Sequence, residues 1–192
     1  MLPPVLCLAS ASPRRTELLR QLGVPHEVRP ASIDESLRAG EPAEAYVRRM
    51  AVTKAGSVRS HLPVLGADTS VIIDEDVLGK PGDLEAARAM LARLSGREHI
   101  VLSAVALAHA GAVALRLSRT TVRFRVLGSA EIDAYWATGE PGDKAGSYAI
   151  QGFGSVFVES LSGSHSGVVG LPLFETAQLL AEAGVPVWQG VR

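Results

Sequence analysis

Residues 5–23, "VLCLASASPRRTELLRQLG", decide the fold class. The apolar run from Val5 to Ala9 has the length and composition of a buried strand. It passes through Ser10, Ala11 and Ser12 into a segment with Leu18, Leu19 and Leu22 on one helical face. Ser12 suits the N-cap, Pro13 the first helical position, and Gly23 the residue that ends the helix. The charges run against the helix dipole. A helix N-terminus is partially positive and favours acids in its first turn, yet Arg14 and Arg15 stand there. Such a terminus presents unpaired backbone N–H groups and takes anions readily. Two guanidiniums would add bidentate donors for phosphate oxygens. The same arginines would equally suit a surface helix paired with nearby acids.

Further along, His26 to Arg29 reads as a short strand and 30–41 as an irregular loop carrying Asp34 and Glu35. Pro42 opens a helix to about Ser60, with Ala43, Tyr46, Val47, Met50 and Val58 on its apolar face and Lys54 on that same face. "PVLGAD" (63–68) reads as a buried strand ending in a carboxylate, and "SVIIDEDVLGKPGD" (70–83) as a hairpin and a turn. Residues 83–95 form a helix with Leu84, Ala87, Leu91 and Leu94 on one stripe and Gly96 after it. Two long strands follow, 98–109 and 112–126, joined near Gly111. Ser129 is expected to cap a short helix. The glycine-rich "GEPGDKAGSYAIQGFG" (139–154), a strand at 155–160 and a last helix after Pro172 complete the chain. Interleaved helices and strands place residues 1–192 in one α/β domain with a partly antiparallel sheet.

Composition narrows the function classes. With 192 residues, 47% hydrophobic, the chain can build a substantial core. A formal net charge of −1 argues against bulk nucleic-acid binding while allowing a local cationic pocket. The one cysteine, Cys7, sits in an apolar strand and can form no internal disulfide. No run approaches the ~20 apolar residues of a membrane span, and the N-terminus lacks the features of a signal peptide. The expectation is a soluble cytoplasmic protein.

Several groups can carry chemistry. Asp68, at the expected C-terminal end of a buried strand, could hold a hard divalent cation or accept a proton from water. It could also be a turn aspartate, and Thr69 beside it could touch a ligand or only fit the strand. Lys54 could point into a cleft or snorkel to solvent. Lys80 in "LGKPGD" and Lys144 in "GDKAG" sit in tight turns. With the two arginines, these lysines would match a polyphosphate if they converged. Gln151 offers an amide donor and acceptor, which suits a pyrimidine edge or a loop backbone. Asp34 and Glu35 could complete a metal site with Asp68. The five histidines show no metal spacing, and there is no Walker loop, GxGxxG or GxSxG motif.

Taken together, these motifs resemble the Maf family of nucleoside triphosphate pyrophosphatases over nearly the whole chain. The matching segments are "LASASPRRTELL" (8–19), "IDES" (33–36), "YVRRMAVTKA" (46–55), "LGADTSV" (65–71), "LGKPGD" (78–83), "LSGREHIV" (94–101), "GEPGDKAGSYAIQGFG" (139–154) and "VVGLPL" (168–173). The resemblance implies a curved mixed β-sheet with flanking helices and two lobes around a nucleotide cleft, similar to inosine triphosphate pyrophosphatases. It implies hydrolysis of a nucleoside triphosphate to the monophosphate and pyrophosphate with a divalent metal cation, Mg²⁺ or Mn²⁺. Asp68 is implied as proton acceptor. Ser10, Arg14, Arg15, Lys54 and Lys80 match polar positions around the triphosphate, and Asp68 and Glu35 the metal site. "DKAGSYAIQG" resembles the branch acting on dTTP and UTP, in which Arg14, Thr69 and Gln151 match positions linked to base choice. A sister branch that prefers 7-methyl-GTP carries glutamate in place of Gln151. Ser103 and His165 depart from the threonine and tyrosine of many relatives. Maf proteins are also associated with inhibition of septum formation, so a nucleotide-binding regulator with little catalysis is the alternative. The family is compatible with a homodimer, and nothing in the sequence locates an interface.

Overall fold

The computed structural model describes residues 2–189. The chain runs β1 (Leu6–Leu8), α1 (Pro13–Gln21), β2 (His26–Val28), α2 (Ala43–Ser57), β3 (Val64–Ile73), β4 (Asp76–Leu78), α3 (Leu84–Leu94), β5 (Glu98–His109), β6 (Ala112–Phe124), α4 (Ser129–Ala137), β7 (Val158–Ser162), α5 (His165–Val169) and α6 (Leu173–Glu182). One mixed seven-stranded sheet has the order β2-β1-β3-β5-β6-β7, with β4 added to β3. β1 lies parallel to β2 and β3, and every other pairing is antiparallel. The mixed α/β class expected from the sequence is the class observed.

Local chemistry explains most of the elements. Both hairpins turn on two residues with positive φ, Asp74-Glu75 (52° and 69°) and Ala110-Gly111 (50° and 79°). That is the backbone twist that joins antiparallel strands most directly. Pro13 starts α1 and Gly23 follows its end at φ 63°. Arginines in the first turn of α1 each cost about 0.3–1 kcal/mol against the dipole. Burial of Leu18 and Leu19 more than offsets this, at about 1.5–3 kcal/mol for each side chain.

The sheet has an interruption that matters for the site. β5 pairs with β3 continuously from Val64 to Ile72. On its other edge, β3 meets β1 at Val64 and Leu65, then β4 from Val71 to Ile73. Residues 66–70 therefore have no strand beside them on that edge. Two hydrophobic clusters lie on either side of this gap: Leu6, Leu8, Leu19, Leu65 and Leu179 in one, Val71, Leu91, Val101, Phe124 and Phe157 in the other. α2 covers the opposite sheet face through Val47, Ala51 and Ala55.

Four sequence expectations need correction. The strand holding Asp68 does not end there but continues to Ile73, because its ladder with β5 extends through Ile72. Ser129 is the first residue of α4 and not its cap; Gly128 holds the cap position. The expected strand at 155–160 begins at Val158, because residues 153–157 form a 3₁₀ turn. The second long strand ends at Phe124 and not at residue 126. Ser12 does occupy the N-cap of α1, but its hydroxyl caps nothing; its N–H donates to Ser10 Oγ at 3.2 Å.

Candidate active site

The gap in the β3 edge opens into a cleft of about 500 Å³. Ser10, Arg14, Arg15, Glu35, Lys54, Asp68, Thr69, Lys80 and Gln151 all line it, so the fold brings these nine residues to one place. Asp34 does not line it. Its carboxylate instead accepts from the Ser36 N–H at 2.9 Å, and that backbone hydrogen bond is the main reason its pKa is lowered. Asp143 and Lys144 are further lining residues, giving five cationic side chains against three carboxylates.

The centre of the cleft is built by the contact of α2 with β3. Gly66 makes it possible, since a Cβ there would stand 2.4 Å from both the Ala51 carbonyl oxygen and the Ala55 nitrogen. This close approach buries Lys54 and Asp68 together. The Lys54 ammonium donates to Asp68 Oδ1 at 2.8 Å and to Glu35 Oε2 at 3.0 Å. Ser70 Oγ donates to Asp68 Oδ2 at 3.4 Å. Lys54 therefore does not snorkel; it is only 6% exposed. A charge so buried persists only when paired, and removing its partner is costly. Alternation along β3 turns Thr69 to the opposite face. There its hydroxyl meets Ser103 Oγ at 2.9 Å, and Ser103 donates to the Gly167 carbonyl of α5 at 2.6 Å. The departure at Ser103 thus keeps a hydroxyl that joins three elements, while His165 is exposed at the start of α5.

The opening loop supplies one wall. Arg15 donates through Nε to the Gly170 carbonyl at 2.8 Å and through a terminal nitrogen to Ser10 Oγ at 3.1 Å. Burial pulls its pKa down and the Asp68 charge pulls it up, with a net lowering. Arg14 reaches across the cleft to Asp143 Oδ2 at 3.2 Å. Asp143 also pairs with Lys144. Burial works to raise the Asp143 pKa, but hydrogen bonds from Lys144 and Arg14 outweigh it and hold it down. Lys80, on the turn after β4, is exposed and forms no ion pair among the described residues.

The other wall is the glycine-rich segment. Glu140 organises it, accepting from Tyr135 Oη at 2.7 Å and from the Phe153 and Gly154 N–H groups at 2.9 Å each. Gly152 leaves room for that carboxylate, since a Cβ there would fall 1.9 Å from Glu140 Oε2 and displace it. Gln151, one residue earlier, is exposed and borders the cleft.

A divalent cation can be tested against this donor set. Among the described residues no group of three or more His, Cys, Asp and Glu is placed to hold a metal ion. Asp68 and Glu35 are two carboxylates bridged by one ammonium. A hard ion such as Mg²⁺ is commonly bound by one or two carboxylates plus substrate phosphates. Two carboxylates match that donor number for an ion that arrives with phosphate oxygens as its other ligands.

Sequence reasoning missed Asp143, Ser70 and Glu140. Asp143 is placed by a contact with Arg14 across 129 residues, and Glu140 by the Phe153 and Gly154 amides 13 and 14 residues on, whereas Ser70 lies two residues from its partner Asp68. No helix among the described residues is long and apolar enough to cross a membrane.

Comparisons with known proteins agree on one family. A model described as Maf-like protein matches residues 5–183. The chain is 55% identical over 190 residues to a dTTP/UTP pyrophosphatase of Alcanivorax borkumensis, covering 96% of this chain and 98% of the relative. It is 58% identical over 187 residues to a dTTP/UTP pyrophosphatase of an Anaeromyxobacter species, with 95% and 91% covered. A third protein of that name, from Methylococcus capsulatus, is 55% identical over 184 residues, with 94% and 91% covered.

Proposed function

The chain belongs to the Maf-like protein family, and from that premise we propose that it hydrolyses dTTP and UTP to the monophosphate and pyrophosphate. The observation that carries the reading is the cleft itself: cationic side chains from distant segments face a buried carboxylate and a loop amide across one opening. Relatives covering almost the whole chain bear the name dTTP/UTP pyrophosphatase, which supports the same substrates here.

In this reading the triphosphate lies over the N-terminus of α1. The first-turn N–H groups, lacking helical acceptors, and the Arg14, Arg15 and Lys80 side chains neutralise its oxygens. Arg14 leaves Asp143 to do so. Ser10 orients the Arg15 guanidinium. Asp68 takes the proton from the water that attacks the α-phosphorus. The bond from that phosphorus to the bridging oxygen breaks, and the oxygen leaves with pyrophosphate. Lys54 directs Asp68 through the ammonium contact at 2.8 Å. Asp68 and Glu35 would hold a divalent cation, Mg²⁺ or Mn²⁺, which when bound supplies charge stabilisation at the phosphoryl oxygens. Donors fixed in place before charge develops account for about 10²–10³-fold in rate each. Gln151 reads the base through an amide complementary to adjacent N–H and C=O groups, and Arg14 and Thr69 assist base choice.

The test is a product assay with dTTP, UTP, CTP, ATP, GTP and 7-methyl-GTP in Mg²⁺ or Mn²⁺. Monophosphate plus pyrophosphate, formed fastest from dTTP or UTP, is the expected result. Nucleotide binding without turnover would overturn it in favour of a regulator. Fastest turnover of 7-methyl-GTP would overturn the role of Gln151.

A further inference from the structure

Glu35 is unusual among the cleft residues because no regular element carries it. It lies in a segment with no helix or strand from Arg29 to Pro42, and its side chain is 54% exposed. Packing therefore does not hold it. Fixing each such residue costs about 1–2 kcal/mol of backbone entropy, so its placement needs specific ties.

Those ties come from one side of α2. Tyr46 Oη donates to the carbonyl of Glu35 itself at 2.9 Å. Arg49 donates to the carbonyl of Ser36 at 3.0 Å. The two peptide groups that follow the Glu35 and Ser36 side chains are thus both anchored to the helix that carries Lys54. The Arg49 guanidinium is itself locked. Its Nε and a terminal nitrogen each lie 2.5 Å from a Glu41 carboxylate oxygen, and both side chains are largely buried, at 19% and 10% exposure. Glu41 closes the segment by accepting from the Arg38 N–H at 3.2 Å, and its own N–H donates to the Arg38 carbonyl at 3.1 Å. The Arg49 guanidinium also sits over the Tyr46 ring, 5.5 Å from its centroid. Hydrogen bonds from Arg49 hold the Glu41 pKa at about 2, so the pair stays ionised at any ordinary assay pH.

We propose that Tyr46, Arg49 and Glu41 form a clasp that positions Glu35 against Lys54 and Asp68, making Tyr46 and Arg49 positioning residues for the reaction. This rests on the cleft being the hydrolytic site. Helix α2 then has a double task. Its Lys54 touches the reacting centre, and its Tyr46 and Arg49 hold the acidic loop at a set distance from that lysine. A change in loop anchoring reaches the reacting centre through Glu35, the loop residue that contacts Lys54.

The test combines kinetics with amide hydrogen exchange on the full chain. Tyr46→Phe keeps the ring and removes the hydroxyl; Arg49→Lys keeps the charge and removes the planar fork. Both should lower dTTP turnover about 5–20-fold, as should Glu35→Gln. In the Glu35→Gln background neither change should lower turnover further, because both act through that carboxylate. A general loss of stability would multiply instead. Amides of 30–41 should exchange faster in both variants, while those of β3 and β5 keep their protection. Multiplicative kinetic losses, or unchanged exchange in 30–41, would overturn the clasp. If Glu35→Gln turns over normally while exchange in 30–41 still quickens, the anchoring stands as structure only, and the role of Glu35 falls with the proposal. If the unmodified chain hydrolyses no nucleotide, the functional reading itself fails.

Discussion

Asp68 shows how a single residue is defined by its surroundings. It lies in mid-strand, 7% exposed, on the one stretch of β3 that lacks a neighbour on the β1 side. A carboxylate in a complete ladder would be sealed off; here it faces the opening. Asp68→Asn should keep a hydrogen bond to Lys54 while losing the capacity to take a proton. Turnover should fall at least ~10²-fold, the scale of a lost general base, with near-UV circular dichroism unchanged. Near-normal turnover would remove Asp68 from that role. Gln151 makes a second prediction at this scale. Gln151→Glu replaces an amide donor with a second acceptor, so dTTP and UTP hydrolysis should drop selectively when kcat/KM is compared across bases. Equal loss for every base would count against base reading.

Among the elements, the contact of α2 with β3 does most to set the geometry. It depends on Gly66, whose missing side chain lets the helix backbone approach the strand. Gly66→Ala would push a methyl into the Ala51 carbonyl and the Ala55 amide, neither of which can swing aside as a side chain could. Overpacking of this kind costs about 1–3 kcal/mol, to be read as a lower urea midpoint. Turnover should fall as well, since Lys54 and Asp68 are joined through the same contact. An unchanged midpoint would mean that the helix shifts freely. In the glycine-rich segment Gly152 leaves room for a side chain instead, the Glu140 carboxylate that ties down the turn beside Gln151.

For the whole molecule, the clearest consequence is a dependence of stability on pH. His99 is 2% exposed, packed edge-on to Phe124 and Tyr148, with Nε2 2.8 Å from Tyr148 Oη and Nδ1 without a partner. Burial lowers its pKa from 6.5 to about 4. The unfolded chain therefore binds a proton between these values that the folded chain refuses. Stability is unaffected by this group above pH 6.5 and is lost as pH falls towards 4. The loss should be on the order of 2 kcal/mol at pH 5, from the same two pKa values. Urea unfolding at pH 7 and pH 5 should show this drop, and His99→Gln should remove it. An equal drop in both proteins would assign the effect to other groups.

The sequence by itself determined the α/β class, most of the elements and a first set of candidate site residues, while the short helix α5 (His165–Val169) lay in what reads as a loop. Helix periodicity, glycine and proline punctuation and two-residue turns are local, and their energies are set within a few neighbouring positions. That is why α1, α3 and both hairpins were legible, and why the family's motifs could be matched residue by residue. Tertiary structure alone decided where β3 ends, that Lys54 is buried, and that Arg14 meets Asp143. Each of these depends on partners distant in the chain. The β5 ladder carries β3 past Asp68, Gly66 admits α2, and the fold closes the 129-residue span between Arg14 and Asp143. Whether a lysine on an apolar helical face reaches solvent or a carboxylate is settled by what packs above it, and one helix's sequence carries no record of that.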